Sequence, residues 1–179
     1  TIEPHTAFAF RPPKLPIDED IFRMQQQGQA LLQDHHYAQY EVSAYAQPNK
    51  QCQHNLNYWQ FGDYVGIGAG AHSKLTGNTG AYREWNIKHP KHYMQNENPQ
   101  AGKKHIQPSD IVFEYFLNRM RLQTPISEVE LCQHTGKQFN DIENTLKKLN
   151  KMNLLTWKKH LTLTNKGHLF LNDVLEYFI

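Results

Sequence analysis

Apolar positions recur at helical spacing between Asp18 and His35, where Ile21, Met24, Gly28, Leu31 and Leu32 fall on one stripe. Asp18, Glu19 and Asp20 place negative charge where the helix dipole favours it. The pattern predicts a core-facing helix, with Gly28 packed close to a neighbour at some cost in propensity. From Tyr37 to Ala46 the period changes to two, with Tyr40, Val42 and Ala44 alternating with Glu41, Ser43 and Tyr45, which predicts a strand. Ahead of the helix, Thr1-Ile2-Glu3-Pro4 reads as the tail of another strand. The prolines of Arg11-Pro12-Pro13-Lys14-Leu15-Pro16 then exclude a helix interior. Strand, helix and strand at this spacing predict a βαβ unit with parallel strands. Tyr64-Val65-Gly66-Ile67-Gly68-Ala69-Gly70-Ala71 predicts a further strand whose backbone is closely approached, ending on His72-Ser73. Lys74 to Gln107 is the least regular part. Gly77-Asn78-Thr79-Gly80 marks a hairpin turn, and Pro90, Pro99 and Gly102 punctuate a long connection.

A second unit begins near Gln107-Pro108, dividing the chain into residues 1–107 and 108–179. Ser109 is placed to cap an apolar helix carrying Ile111, Val112, Phe113, Tyr115, Phe116, Leu117 and Met120. Ser127-Glu128-Val129-Glu130 has the capping-box pattern, and Gly136 ends the short helix that follows. A third helix spans Asn140 to Asn150 with Ile142, Leu146 and Leu149 inward. Leu154–Trp157 and His160–Leu163 make a hairpin across Lys158-Lys159. After Thr164-Asn165-Lys166-Gly167, a last helix buries Leu169, Phe170, Val174, Leu175 and Phe178. The order is that of a winged-helix-like module. The whole is α/β in its first part and α+β overall.

Composition narrows the field. The 179 residues carry 19 Lys and Arg against 17 Asp and Glu, a net charge of +2, so nothing forces a nucleic-acid or anionic-membrane partner. No apolar run approaches the length of a membrane span. Cys52 and Cys132 are too few for a disulfide scaffold and fit reduced thiols in the cytoplasm. The chain starts without Met on what reads as the end of a strand, so a piece of a longer protein is expected.

Several chemistries are weak on these residues. Lys147, Lys148 and Lys151 on the third helix of the winged module are offset by Asp141 and Glu143, which leaves no strong basic face for DNA. His35-His36, His89 with His92, and Cys52 with His54 do not match structural zinc spacing. Gly66, Gly68 and Gly70 have strand period, not dinucleotide-turn spacing. The most informative knot is His54-Asn55-x-x-Tyr58-Trp59. On a helical turn His54 and Tyr58 share a face and Asn55 lies beside both rings. An imidazole with flat aromatic surface suits haem iron and macrocycle. The same residues also suit an ordinary loop tie with two core rings, and on the residues alone both readings stand open.

Ile2-Glu3-Pro4, Tyr40-Glu41-Val42-Ser43-Ala44-Tyr45-Ala46, His54-Asn55-Leu56-Asn57-Tyr58-Trp59 and Gly66-Ile67-Gly68-Ala69-Gly70-Ala71-His72-Ser73 occur here in order. In this order they resemble the C-terminal half of the HemW-type haem chaperones, radical S-adenosylmethionine proteins of the oxygen-independent coproporphyrinogen III oxidase-like family. The resemblance covers essentially the whole chain, including the Leu163-Thr164-x-x-Gly167 turn. It implies the last βα units of a partial (β/α) radical SAM barrel followed by the winged-helix-like domain. The family's Cys-x-x-x-Cys-x-x-Cys loop, which binds a [4Fe–4S] cluster that holds S-adenosylmethionine, does not occur in this sequence, so the chain alone is expected to perform no radical chemistry. By the same resemblance His54 contacts haem, with Asn55, Tyr58 and Trp59 around it. Glu3, Glu41, Ser43, Gly66, Gly68, Gly70 and His72 become cavity residues at the barrel's C-terminal strand ends. Haem and recipient haemoproteins are the implied partners, with oligomeric state open to a dimer. The rivals are a coproporphyrinogen III oxidase and a winged-helix interaction or DNA-binding protein.

Overall fold

A computed structural model describes residues 3–77 and 80–179. A helical turn, α1 (Ala7–Phe10), is capped by the Thr6 hydroxyl and leads to the long helix α2 (Asp18–Asp34). A small antiparallel hairpin follows, β1 (Ala38–Glu41) and β2 (Ala44–Ala46), then the short helix α3 (Gln53–Trp59). A three-stranded antiparallel meander comprises β3 (His72–Gly77), β4 (Gly80–Asn86) and β5 (Gln100–His105), with α4 (Pro90–Gln95) between the last two strands. The C-terminal module runs α5 (Ile111–Arg119), β6 (Ile126–Ser127), α6 (Glu128–Thr135), α7 (Glu143–Lys151), β7 (Leu155–Trp157) and β8 (His160–Leu163), closing on α8 (Asn165–Leu169) and α9 (Leu171–Leu175). Its sheet order is β6-β8-β7, with three helices ahead of the hairpin as expected of a winged helix.

The first part departs from the pattern reading. Tyr37–Ala46 is two strands because the chain reverses at Val42-Ser43, where the Ser43 N–H and hydroxyl both donate to the Glu41 carboxylate at 2.9 and 3.1 Å. Every pairing between named strands is antiparallel. The strand expected at Thr1-Ile2, and with it the parallel partner, lies outside the described residues, as do Asn78 and Thr79 of the hairpin turn. Pro4 to Thr6 is turn and bend, and Glu3 ends no strand among the described residues. The α2 stripe is not core-facing: Ile21, Met24 and Leu31 are exposed, Leu32 is half-buried, and a side chain added at Gly28 would touch nothing within 4 Å. The amphipathic pattern reports a face, and among the described residues nothing covers it. Tyr64–Ala71 forms only one bridge, Tyr64 to Lys74, because Gly68 and Gly70 take positive φ and break the extended run. In the C-terminal module Asp110, not Ser109, precedes α5, and the Ser109 hydroxyl donates to the Asp110 carboxylate. Ser127 caps α6 through the Glu130 N–H, but the Glu130 side chain turns away to Arg119 and Tyr115.

The core belongs to the C-terminal module, with Tyr115, Phe116, Leu131, Leu146, Leu149 and Val174 fully buried. Phe61 joins it from the first part. Helix α3 ends in a Schellman motif, with Phe61 N–H donating to Tyr58 O and Gly62 N–H to Asn57 O. The left-handed position in that motif is Phe61 itself, at φ 59°. That backbone costs about 1–2 kcal/mol for a residue with a Cβ, and burying the ring returns about 1.5–3 kcal/mol. Phe61→Ala is expected to destabilise by about 3–5 kcal/mol, whereas Phe61→Gly, free of the backbone strain, loses about 1 kcal/mol less. Urea melts of the two variants check this; an alanine variant at least as stable as the glycine one refutes it.

Candidate functional site

Helix α3 divides the aromatic knot between two surroundings. His54 is exposed, and its ring sits edge-on to Tyr58 at 4.8 Å between centroids. Tyr58 packs on Tyr64 at 4.4 Å, so the three rings form one continuous group. The spacing of four residues puts His54 and Tyr58 on one helical face, as the sequence implies. Trp59, one residue further, faces elsewhere: the Arg121 guanidinium lies 4.5 Å over its ring, and its buried indole Nε1 has no hydrogen-bond partner among the described residues. Asn55 is half-buried.

Arg121 links Trp59 to two more candidate residues. Its Nε donates to the Glu41 carboxylate at 2.6 Å. Glu41 is only 2% exposed, and its carboxylate also accepts both donors of Ser43. A buried carboxylate is tolerable when charge and hydrogen bonds compensate it, and here both do. The backbone completes the tie, with Val42 N–H donating to Arg121 O and Gln123 N–H to Tyr40 O. Glu41 and Ser43 therefore hold the hairpin in place. Glu3 is exposed, and its carboxylate makes no hydrogen bond among the described residues.

The glycine segment sits against β3 and the start of α4. An added Cβ at Gly66 would come 2.2 Å from His72 O, the close backbone approach that the glycine pattern predicts. Gly66 N–H donates to the Ser73 hydroxyl, Gly68 N–H to the Tyr93 hydroxyl and Gly70 N–H to Ile87 O. His72 is exposed and stacks on its cross-strand partner Trp85, with centroids 6.2 Å apart. Gly66, Gly68, Gly70 and His72 are thus gathered in one place, while Glu41 and Ser43 lie with Trp59.

Between these groups and the core runs a polar network that the sequence did not flag. Lys74 is buried at 3% exposure. Its ammonium donates to Phe61 O at 2.7 Å and to Asp63 at 3.0 Å, and lies 4.0 Å over the Phe61 ring. Burial pulls its pKa down, only partly offset by Asp63. Asp63 shifts down as well, because hydrogen bonds from Thr76 and Lys74 outweigh its desolvation. The two directions look inconsistent for one ion pair, but Lys74 is the buried partner and Asp63 is 42% exposed. His134 stacks on Tyr115 at 5.5 Å and meets Phe61 edge-on. Tyr115 donates to Glu130, which also accepts from Arg119. On β4, Arg83 reaches both Tyr64 and Glu114. Tyr64, Lys74, Arg83 and Arg121 carry no local sequence signal; they acquire roles only when distant strands and loops meet.

Cys52 and Cys132 are both exposed free thiols. No group of three or more His, Cys, Asp or Glu side chains that could hold a metal occurs among the described residues. A [4Fe–4S] cluster does not fit these two cysteines.

Known proteins are similar to this chain in sequence and in fold. Over its whole length the chain is 42% identical to a protein of Haemophilus influenzae named heme chaperone HemW, covering 47% of it. The chain is homologous to the C-terminal part of HemW. A second heme chaperone HemW, from Escherichia coli, is also 42% identical over the full chain, which covers 48% of it. The chain therefore spans about half the length of the curated HemW proteins it matches. Among solved structures, coproporphyrinogen III oxidase (HemN) from Escherichia coli, a radical SAM enzyme, superposes with a TM-score of 0.67 at 16% identity. The match covers 92% of this chain and 42% of that one, and shows that this chain shares the fold of that part of the neighbour. No family model matches the chain.

Protonation of the buried network has a direction. Burial pushes His134 below the usual 6.5, with Lys74 adding to the effect and Glu130 and Asp63 opposing it. Burial alone pushes His168 down. A histidine with a lowered folded pKa contributes nothing to the pH dependence above its unfolded value, and destabilises progressively as pH falls through that value toward the folded one. The urea midpoint is expected to drop from about pH 7 to pH 5, and His134→Phe to flatten the slope while keeping the stack on Tyr115. An unchanged slope in the variant refutes a role for His134.

Proposed function

We propose that this chain is the haem-contacting C-terminal part of a HemW-type haem chaperone, which binds haem and passes it to haemoproteins. The observation that carries the reading is His54. It is an exposed imidazole backed by the Tyr58 and Tyr64 rings, in a chain 42% identical to proteins named heme chaperone. Haem iron takes an imidazole, and the macrocycle needs flat apolar surface. A cargo that must leave again is better served by an exposed ligand than by an enclosed pocket. His54 is the iron-contacting residue in this reading. Tyr58 and Asn55 border it, and Trp59, held by Arg121, fixes the far side of α3.

Residues 1–107 then supply the last barrel units, and 108–179 the winged-helix-like domain. Gly66, Gly68, Gly70 and His72 line the cavity of the complete barrel. Glu3, Glu41 and Ser43 belong to the same cavity in this reading, Glu41 and Ser43 through the hairpin turn they hold. The iron–sulfur cluster and S-adenosylmethionine belong to the complete protein, on residues that this sequence does not contain. A cytoplasmic setting and a dimeric assembly complete the proposal. No helix among the described residues is long and apolar enough to cross a membrane.

The enzyme reading, oxidative decarboxylation of coproporphyrinogen III, draws on the likeness to HemN, which at 16% identity concerns the fold alone. The DNA reading is weakened on α7, where Lys147 pairs with Glu143 and Lys148 lies over the Tyr177 ring. In the full-length protein, haemin titration followed at the Soret band is expected to saturate, with His54→Ala weakening affinity by about tenfold. An unchanged affinity in the variant removes His54 from the site. Release of carbon dioxide from coproporphyrinogen III by the reconstituted protein instead supports the oxidase.

A further inference from the structure

The segment Lys88-His89-Pro90-Lys91-His92 enters α4 with all five residues exposed. The His89 and His92 rings face each other with centroids 4.5 Å apart. Neither Lys88 nor Lys91 forms an ion pair among the described residues. The glycine segment is fastened to this stretch through Gly70 N–H to Ile87 O at 2.9 Å and Gly68 N–H to the Tyr93 hydroxyl at 3.2 Å. On that segment Ile67, the residue before the tethered Gly68, is 87% exposed, a large aliphatic side chain presented to solvent. Met94, one residue past Tyr93, is likewise exposed.

Two imidazoles are too few for a structural metal, which takes three or four protein ligands. They suffice for an iron that already has four pyrrole nitrogens and asks the protein for an axial ligand. The lysines suit the two propionates, and Ile67 suits the macrocycle face. We infer that His89 and His92, with Lys88, Lys91 and Ile67, form a second haem-contacting site, separate from His54 and taking an iron porphyrin dicarboxylate. This rests on the proposed haem-binding function. Because the two ring centroids are 4.5 Å apart, either imidazole can serve the iron and replace the other. That arrangement suits a protein that must both hold and release its cargo.

The full-length protein, titrated with ferric haemin and with iron-free protoporphyrin IX, tests this. Against His54→Ala as background, His89→Ala and His92→Ala are each expected to change haemin affinity by less than about threefold, and the pair together by about tenfold or more. Lys88→Glu with Lys91→Glu weakens haemin and the iron-free porphyrin alike, since the propionates are common to both. Thermal melts confirm that these surface variants fold. Loss of all haemin binding in His54→Ala alone, or an unchanged affinity and Soret band in the double-histidine variant, overturns the second site while leaving haem binding by the protein intact. A wild-type protein that binds no haemin overturns the functional reading as well.

Discussion

Lys74 is an ammonium in a place where ammonium ions are costly, and the neighbouring structure is arranged around satisfying it. Phe61 supplies both a carbonyl and a ring face, and Asp63 supplies the countercharge. Those two residues follow directly on α3, so the charge on β3 fixes where that helix stops. The same ring that receives Lys74 is wedged against Tyr115 in the core of the C-terminal module. One buried cation thus ties a strand, the end of the His54 helix and the winged-helix-like module together. Removing only one member would leave an uncompensated charge or an empty place in the core.

This anchoring explains why the His-Asn-x-x-Tyr-Trp knot is not a single cluster. The Schellman turn at Phe61 sets the rotation of α3. That rotation sends His54 and Tyr58 toward Tyr64 and sends Trp59 toward Arg121 and Glu41. One side of the helix presents a reachable imidazole. The other is clamped to a hairpin whose own turn is built on the Glu41 carboxylate. An exposed imidazole and a clamped indole thus occupy different faces of one short helix, which a motif written as a string cannot display.

The C-terminal module was the most legible part of the sequence. Ser127 and Thr164 both cap helices, and Leu146 and Leu149 point inward at helical spacing. These signals are local, so they survive reading without a partner. β5 was missed because Gln100-Ala101-Gly102-Lys103-Lys104-His105 has no apolar alternation; it pairs through its backbone against β4. The glycine pattern implies both a close approach and a strand; Gly66 makes the approach to His72, while the positive φ of Gly68 and Gly70 prevents the strand. The α2 stripe shows the opposite limit. Periodicity identified an apolar face, but burial depends on what lies opposite, and a sequence pattern does not contain that. His54 and Tyr58 could be paired from their spacing of four, whereas Arg121 lies eighty positions from Glu41 and nothing near it announces the contact.

That eighty-residue span bears on the order in which the chain can assemble. A ribosome delivers Glu41 long before Arg121, and domains made during synthesis form from the residues already available. Until α5 and the turn behind it have emerged, the β1–β2 hairpin carries an acid with no base to answer it, and a two-stranded ribbon is marginal by itself. Its seating is therefore a late event, governed by the closure of a long loop. The nascent chain keeps that edge open to other partners for as long as translation of the intervening segment lasts.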